Sequence, residues 1–240
     1  MEKNGKRISL LIIVILIAAI LVVSAAGIWL FSGYGKNNTE KQENVEESSA
    51  EEQKIEFPYY LIERKIEVNS LFPYTLFNPD CNDEEGEDIA CISFTNCSEE
   101  YIEFAEFTVI LLDGTEYVFK AFDVPSGADM LAFSVDNSSY NMITGCKSIE
   151  CKAEFTKDIS MMEDAVSVSV DETEVTLTNI TGEKLTKLIV CYHTLFDGEY
   201  FGGKTYQHTA ENIESGESIT FQAEECYLGK AAVVRIEGDN

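Results

Sequence analysis

The chain has 240 residues, 45% of them hydrophobic, with 17 Lys and Arg against 43 Asp and Glu and a formal charge of −26. The apolar content is enough for packed cores. A field of that sign repels phosphate backbones and anionic lipid surfaces, which argues against nucleic-acid binding and peripheral docking on acidic membranes; it can attract cations or a basic partner, but the favoured reading is that it solvates an exposed ectodomain.

Residues 8–31 form an apolar run broken only by Ser, Gly and Trp, with Lys3, Lys6 and Arg7 before it. A helix rising about 1.5 Å per residue crosses the hydrocarbon core with roughly 20 residues, and flanking positive charge stays in the cytoplasm. The run therefore reads as a single-pass signal anchor in the cell membrane, with residues 1–7 cytoplasmic and all that follows extracellular. Ser24, Ala25 and Ala26 offer a competing cleavage site. The run continues through Ile28, Trp29, Leu30 and Phe31, which favours retention. Three basic residues and one acidic residue precede the run, leaving 14 against 42 outside, a formal charge of −28.

Residues 35–56 are rich in Glu, Asn, Gln and Ser and poor in apolar side chains, so they read as a disordered acidic linker that acts as a stalk. From residue 57 the pattern changes to short alternating runs rich in Val, Ile, Phe, Tyr and Thr, separated by Gly, Asn and Asp. That is strand and turn composition. Residues 59–68 add a lead-in strand, and residues 70–79 read as an irregular aromatic loop that covers a sandwich end. A first set of strands is expected at 89–94, 104–112, 116–122, 130–135 and 148–155. A second is expected at 165–170, 174–178, 185–196, 200–207, 218–223 and 231–236.

The sets resemble each other. Phe94-Thr95-Asn96 leads to a strand ending at Asp113-Gly114 and later Ser126-Gly127, and Leu177-Thr178-Asn179 leads to Asp197-Gly198 and Ser215-Gly216. Asp-Gly between alternating runs signals a two-residue type I′ hairpin turn, which needs positive φ at both positions. The expectation is an all-β chain with two tandem Ig-like antiparallel β-sandwich domains, residues 57–160 and 164–240, after the transmembrane helix and acidic linker.

Chemistry-bearing residues are sparse. The odd set of cysteines, Cys81, Cys91, Cys97, Cys146, Cys151, Cys191 and Cys226, has no CxxC spacing, and Cys191 with Cys226 is the one pair nominated as a disulfide. Asp80, Asp83 and Glu84 are calcium candidates in the densest acidic stretch, but Glu85 stands where an EF-hand loop needs glycine, so a solvated loop is favoured and no metal or cofactor is expected. His193 and His208 lack a nucleophile elbow or zinc motif and read as ordinary sheet residues. Gly202-Gly203-Lys204 lacks the spacing of a phosphate-binding loop. Asn37, Asn96, Asn137 and Asn179 begin Asn-x-Ser/Thr triplets, which are glycan acceptors only in a eukaryotic secretory route.

Leu177-Thr178-Asn179, the run 189–195, Phe196-Asp197-Gly198-Glu199-Tyr200 and Glu214-Ser215-Gly216-Glu217 resemble FxLYD-type and related Ig-like domains of membrane-anchored Gram-positive surface proteins. The resemblance covers the last 75 residues or so best. It implies an Ig-like fold and carries no catalytic residues. The expected function is a membrane-anchored extracytoplasmic module, without catalytic activity, that binds an unknown protein or glycan of the envelope. An envelope enzyme or accessory factor acting on wall polymer through carboxylates, and a purely structural spacer, are the alternatives.

Overall fold

In the computed structural model, residues 54–75, 80, 88–140 and 144–239 are described. The membrane run at 8–31, the linker up to residue 53, and Asp83 and Glu84 lie outside them. Among the described residues no helix is long and apolar enough to cross a membrane. The region is all-β, thirteen strands with two 3-10 turns.

The strands of the first lobe are β1 (Tyr59–Leu61), β2 (Ile66–Tyr74), β3 (Ile89–Asn96), β4 (Tyr101–Leu111), β5 (Glu116–Val124), β6 (Asp129–Phe133) and β7 (Cys146–Thr156). The second lobe has β8 (Val166–Asp171), β9 (Glu174–Asn179), β10 (Leu185–Phe196), β11 (Glu199–Ile213), β12 (Ser218–Gln222) and β13 (Lys230–Asp239). Alternation sets what each strand buries. In β4, Phe107, Val109 and Leu111 are fully buried; in β9, Val175 and Leu177 are, while Thr176 and Thr178 face outward.

Both lobes use one wiring. β2-β3-β6 faces β5-β4-β7, and β8-β9-β12 corresponds to the former as β11-β10-β13 does to the latter. One apolar cluster sits between each facing pair, around Phe94, Phe107 and Phe119 in the first lobe and around Leu177, Leu188 and Ile236 in the second. The sheets do not stop at the lobe boundary. β6 pairs in parallel with β11 through Met130 with Tyr200 and Leu131 with Phe201, making one seven-stranded sheet in the order β1-β2-β3-β6-β11-β10-β13.

Several local expectations change. The lead-in is a hairpin, because Lys65 adopts φ 48° after the 3-10 turn Ile62–Arg64 and turns the chain back onto β2. The aromatic segment from 70 is largely strand: Phe72 pairs with Cys91, Pro73 with Ala90 and Tyr74 with Ile89. β11 runs on to Ile213, with exposed Gln207, Thr209 and Glu211 diluting the apolar signal. The Asp197-Gly198 turn has φ 50° and 91°, as a two-residue type I′ turn requires. At the first Asp-Gly only Gly114 has positive φ, 87°, because the four-residue loop 112–115 instead lets Asp113 Oδ1 accept the Thr115 N–H at 2.9 Å.

The repeat is anchored by two buried asparagines. Asn96 Nδ2 donates toward the carbonyls of Glu100, Val124 and Pro125 at 2.9, 3.1 and 3.1 Å, and its Oδ1 accepts from the Ser98 N–H at 3.1 Å. Asn179 Nδ2 donates to the carbonyls of Glu183 and Ile213 at 2.8 and 3.0 Å, and its Oδ1 accepts from the Thr181 N–H at 2.8 Å. Each asparagine carbonyl also accepts from the next turn's glycine, Gly127 at 2.8 Å and Gly216 at 3.0 Å. These side-chain amides close one end of each lobe. Asn96 and Asn179 are therefore framework residues, and the Ser or Thr of each triplet is its hydrogen-bonding partner.

Candidate functional site

The seam between the lobes gathers the buried His193, Thr194 and Asp123. It begins with a bulge. Tyr192 pairs with Tyr206 and Thr194 with Phe201, so His193 alone on β10 stands opposite residues 202–205 on β11. Glycine inside a strand marks such a bulge or a close backbone approach, and both occur here. Gly202 has φ 93°, and a Cβ on Gly203 would lie 1.9 Å from the Lys120 carbonyl oxygen of β5.

Asp80 holds the bulge from the other side. Its Oδ2 accepts the Gly203 N–H at 2.7 Å, its Oδ1 the Lys204 N–H at 3.3 Å, and its carbonyl the Lys204 ammonium. Burial raises the Asp80 carboxyl above the usual range, against the lowering by these N–H groups and the Lys204 charge. Of the three calcium candidates, Asp80 is thus placed at a backbone clasp. Among the described residues no group of three or more His, Cys, Asp or Glu side chains could hold a metal ion.

His193 is fully buried. Its Nε2–H donates to the Phe122 carbonyl at 3.0 Å, with Thr205 Oγ1 at 3.2 Å, while Nδ1 has no hydrogen-bond partner. The carbonyl can only accept, which assigns the proton to Nε2. Burial lowers the imidazole to about 4, outweighing the nearby Asp123 charge, so the ring is neutral at neutral pH. The Tyr200 ring meets it edge-on at 5.6 Å. Asp123, 4% exposed and at φ 51°, reaches across to β13, where Arg235 Nη2 donates to its Oδ2 at 3.3 Å. Arg235 Nε lies 3.2 Å from Oδ1 with its N–H misdirected, so that contact is charge attraction rather than a hydrogen bond. Tyr101 OH donates to the Val234 carbonyl at 3.3 Å.

On the outer face of the seam Tyr74, Phe133 and Phe201 form a triangle with ring centroids 5.4 to 5.5 Å apart. A 140 Å³ cavity beside it is lined by Asp80, Lys120, Phe133, Ser134, Gly203 and Lys204, among others. Away from the seam, Tyr59, Tyr60 and Ile62 are 36, 47 and 77% exposed.

Cys191 packs with Tyr101 and Val234 at the seam, whereas Cys226 lies in the second lobe's core; both are free thiols, so the nominated pair is unbridged. Burial raises Cys146 and Cys226 to about 11 and Cys151 to about 12, which keeps them protonated and weakly nucleophilic at neutral pH. His208 lies apart from His193, stacked on Phe221 with centroids 3.8 Å apart. The seam residues Asp123, Thr205 and Arg235 have no sequence signature of their own. The Gly-Gly pair within an alternating strand was the one usable signal.

No protein family, curated protein or solved structure matches this chain.

Proposed function

We propose that the chain is a membrane-anchored, non-catalytic binding module of a bacterial cell envelope, with tandem Ig-like units displayed on the stalk and an envelope protein or glycan as partner. One observation carries the reading. The groups best suited to chemistry, His193, Asp80, Asp123 and Arg235, are each engaged in contacts between the two lobes. A fused, two-lobed body of this kind fixes the relative position of its outer surfaces, which suits recognition. The apolar run at 8–31 and the resemblance to Gram-positive surface domains supply the anchor and the compartment in this reading.

The test is capture from envelope extract by the full-length chain in its own membranes, with and without calcium. Reproducible recovery of one envelope component supports the module. Recovery of none, or turnover of wall fragments by the purified chain, overturns it in favour of a spacer or an enzyme.

A further inference from the structure

The lobes differ in what their matching edges hold. β6 is not an edge, because β11 runs parallel to it. Its counterpart β12 ends the order β12-β9-β8, with no further strand beside it among the described residues.

The ladder shows which groups point outward. The Glu217 carbonyl accepts from the Asn179 N–H at 3.0 Å and the Ala223 N–H donates to the Thr173 carbonyl at 2.8 Å. Antiparallel alternation then turns the backbone N–H and C=O of Ser218, Thr220 and Gln222 away from β9. In the first lobe the Ala128 carbonyl accepts from Asn96 at 3.0 Å and the Ser134 N–H donates to Ala90 at 2.9 Å, which turns Leu131 outward, where Phe201 pairs with it. Counted from the two asparagines, Thr220 holds the place of Leu131.

The side chains and charge around β12 select the occupant. Thr220 and Thr176 hydroxyls meet at 2.9 Å and Ser218 and Thr178 at 2.8 Å, a polar face. Exposed Glu217 and Glu224 flank the two ends of the strand, and Glu174 lies across from Gln222. We propose that the free edge of β12 takes up an extended basic segment of a partner protein as a parallel strand, in the way β6 takes up β11. The backbone supplies the pairing and the acidic ends choose the charge. The proposal rests on the binding-module reading and names the chemistry of its partner.

The experiment uses the full-length chain in detergent and a fluorescent synthetic peptide of alternating Thr and Val with lysines at both ends. Saturable binding is expected, with Glu-ended peptide at least about tenfold weaker. Thr220→Pro removes an outward N–H and leaves the ladder to β9 intact, so it should weaken binding at least about tenfold at an unchanged melting temperature. Thr220→Lys should do so by charge repulsion without touching the backbone. Val170→Pro, on the opposite edge of the same sheet, should bind as the unchanged protein does. Absent binding, equal binding of the two peptides, or indifference to both Thr220 substitutions overturns the proposal. So does a dimer that Thr220→Pro converts to monomer, since the edge then pairs two copies. Envelope capture that survives Thr220→Pro discards the edge and leaves the module.

Discussion

On the outer face of β2, β3 and β6 the first lobe carries Phe72, Tyr74, Cys91, Leu131 and Phe133, and the second lobe presents Ser167, Ser169, Thr176, Thr178 and Thr220 on the corresponding face of β8, β9 and β12. The wiring beneath is the same and so are the asparagine brackets. What differs is whether something is packed on top. Phe201, brought in by the parallel pairing of β11, joins the apolar face of the first lobe. The hydroxyl face of the second remains exposed. Interior positions of the repeat keep its fold, and the outer-face positions set the fate of each copy.

Removing a bracket should have the largest effect. Asn96→Ala or Asn179→Ala removes the amide donor to the buried carbonyl of Val124 or Ile213 together with the acceptor for the next N–H and the rest of the bracket, at about 3 to 4 kcal/mol for either variant. Because one sheet passes through both lobes, either variant should lower a single thermal transition. Two separate transitions would show that the lobes melt independently despite the shared sheet.

The seam adds a dependence on pH, through a residue present in only one copy. The folded His193 imidazole sits at about 4, below its ordinary value of 6.5. A depressed folded value means that the unfolded chain binds the proton more tightly, so the stability is fully present above 6.5 and declines as pH falls toward 4. The loss amounts to about 3 kcal/mol by the lower limit. His193→Gln, which keeps a donor for the Phe122 carbonyl, should flatten that slope in denaturant titrations taken between these pH values. An unchanged slope would place the titration on other groups.

The repeat was legible because it is written in local chemistry: Asn96 and Asn179 each follow an alternating run, and each precedes a Ser or Thr two residues on. The seam was not. Asp123 and Arg235 are 112 residues apart in the chain, and nothing in a window of sequence brings β5 to β13. The parallel pairing of β6 and β11 covers two residues, too few to leave a pattern. His193 reads as one more residue of a strand, since its burial depends on the opposite lobe. The Gly202-Gly203 bulge left a trace only because backbone contact with Lys120 excludes a side chain.

That exclusion can be tested directly. Gly203→Ala places a methyl group against the Lys120 carbonyl and should cost about 2 kcal/mol, the scale of overpacking in a tight interior. The effect should appear in hydrogen exchange at the seam before it appears in either lobe's core. Protection lost first around Leu177 would show that the bulge supports the second lobe rather than the junction.

The smallest effect separates the two hairpins. Asp197 occupies a left-handed position at φ 50°, where glycine relieves side-chain strain while adding unfolded-state entropy, so Asp197→Gly should be neutral to within about 0.5 kcal/mol. Asp113 instead accepts the Thr115 N–H in a wider loop without positive φ of its own. Asp113→Gly loses that bond and loosens the loop, at about 1 kcal/mol. Thermal melts of the two variants side by side should show only the second displaced. Equal displacement would mean that the turns act alike, and that the two extra loop residues in the first lobe have no energetic consequence.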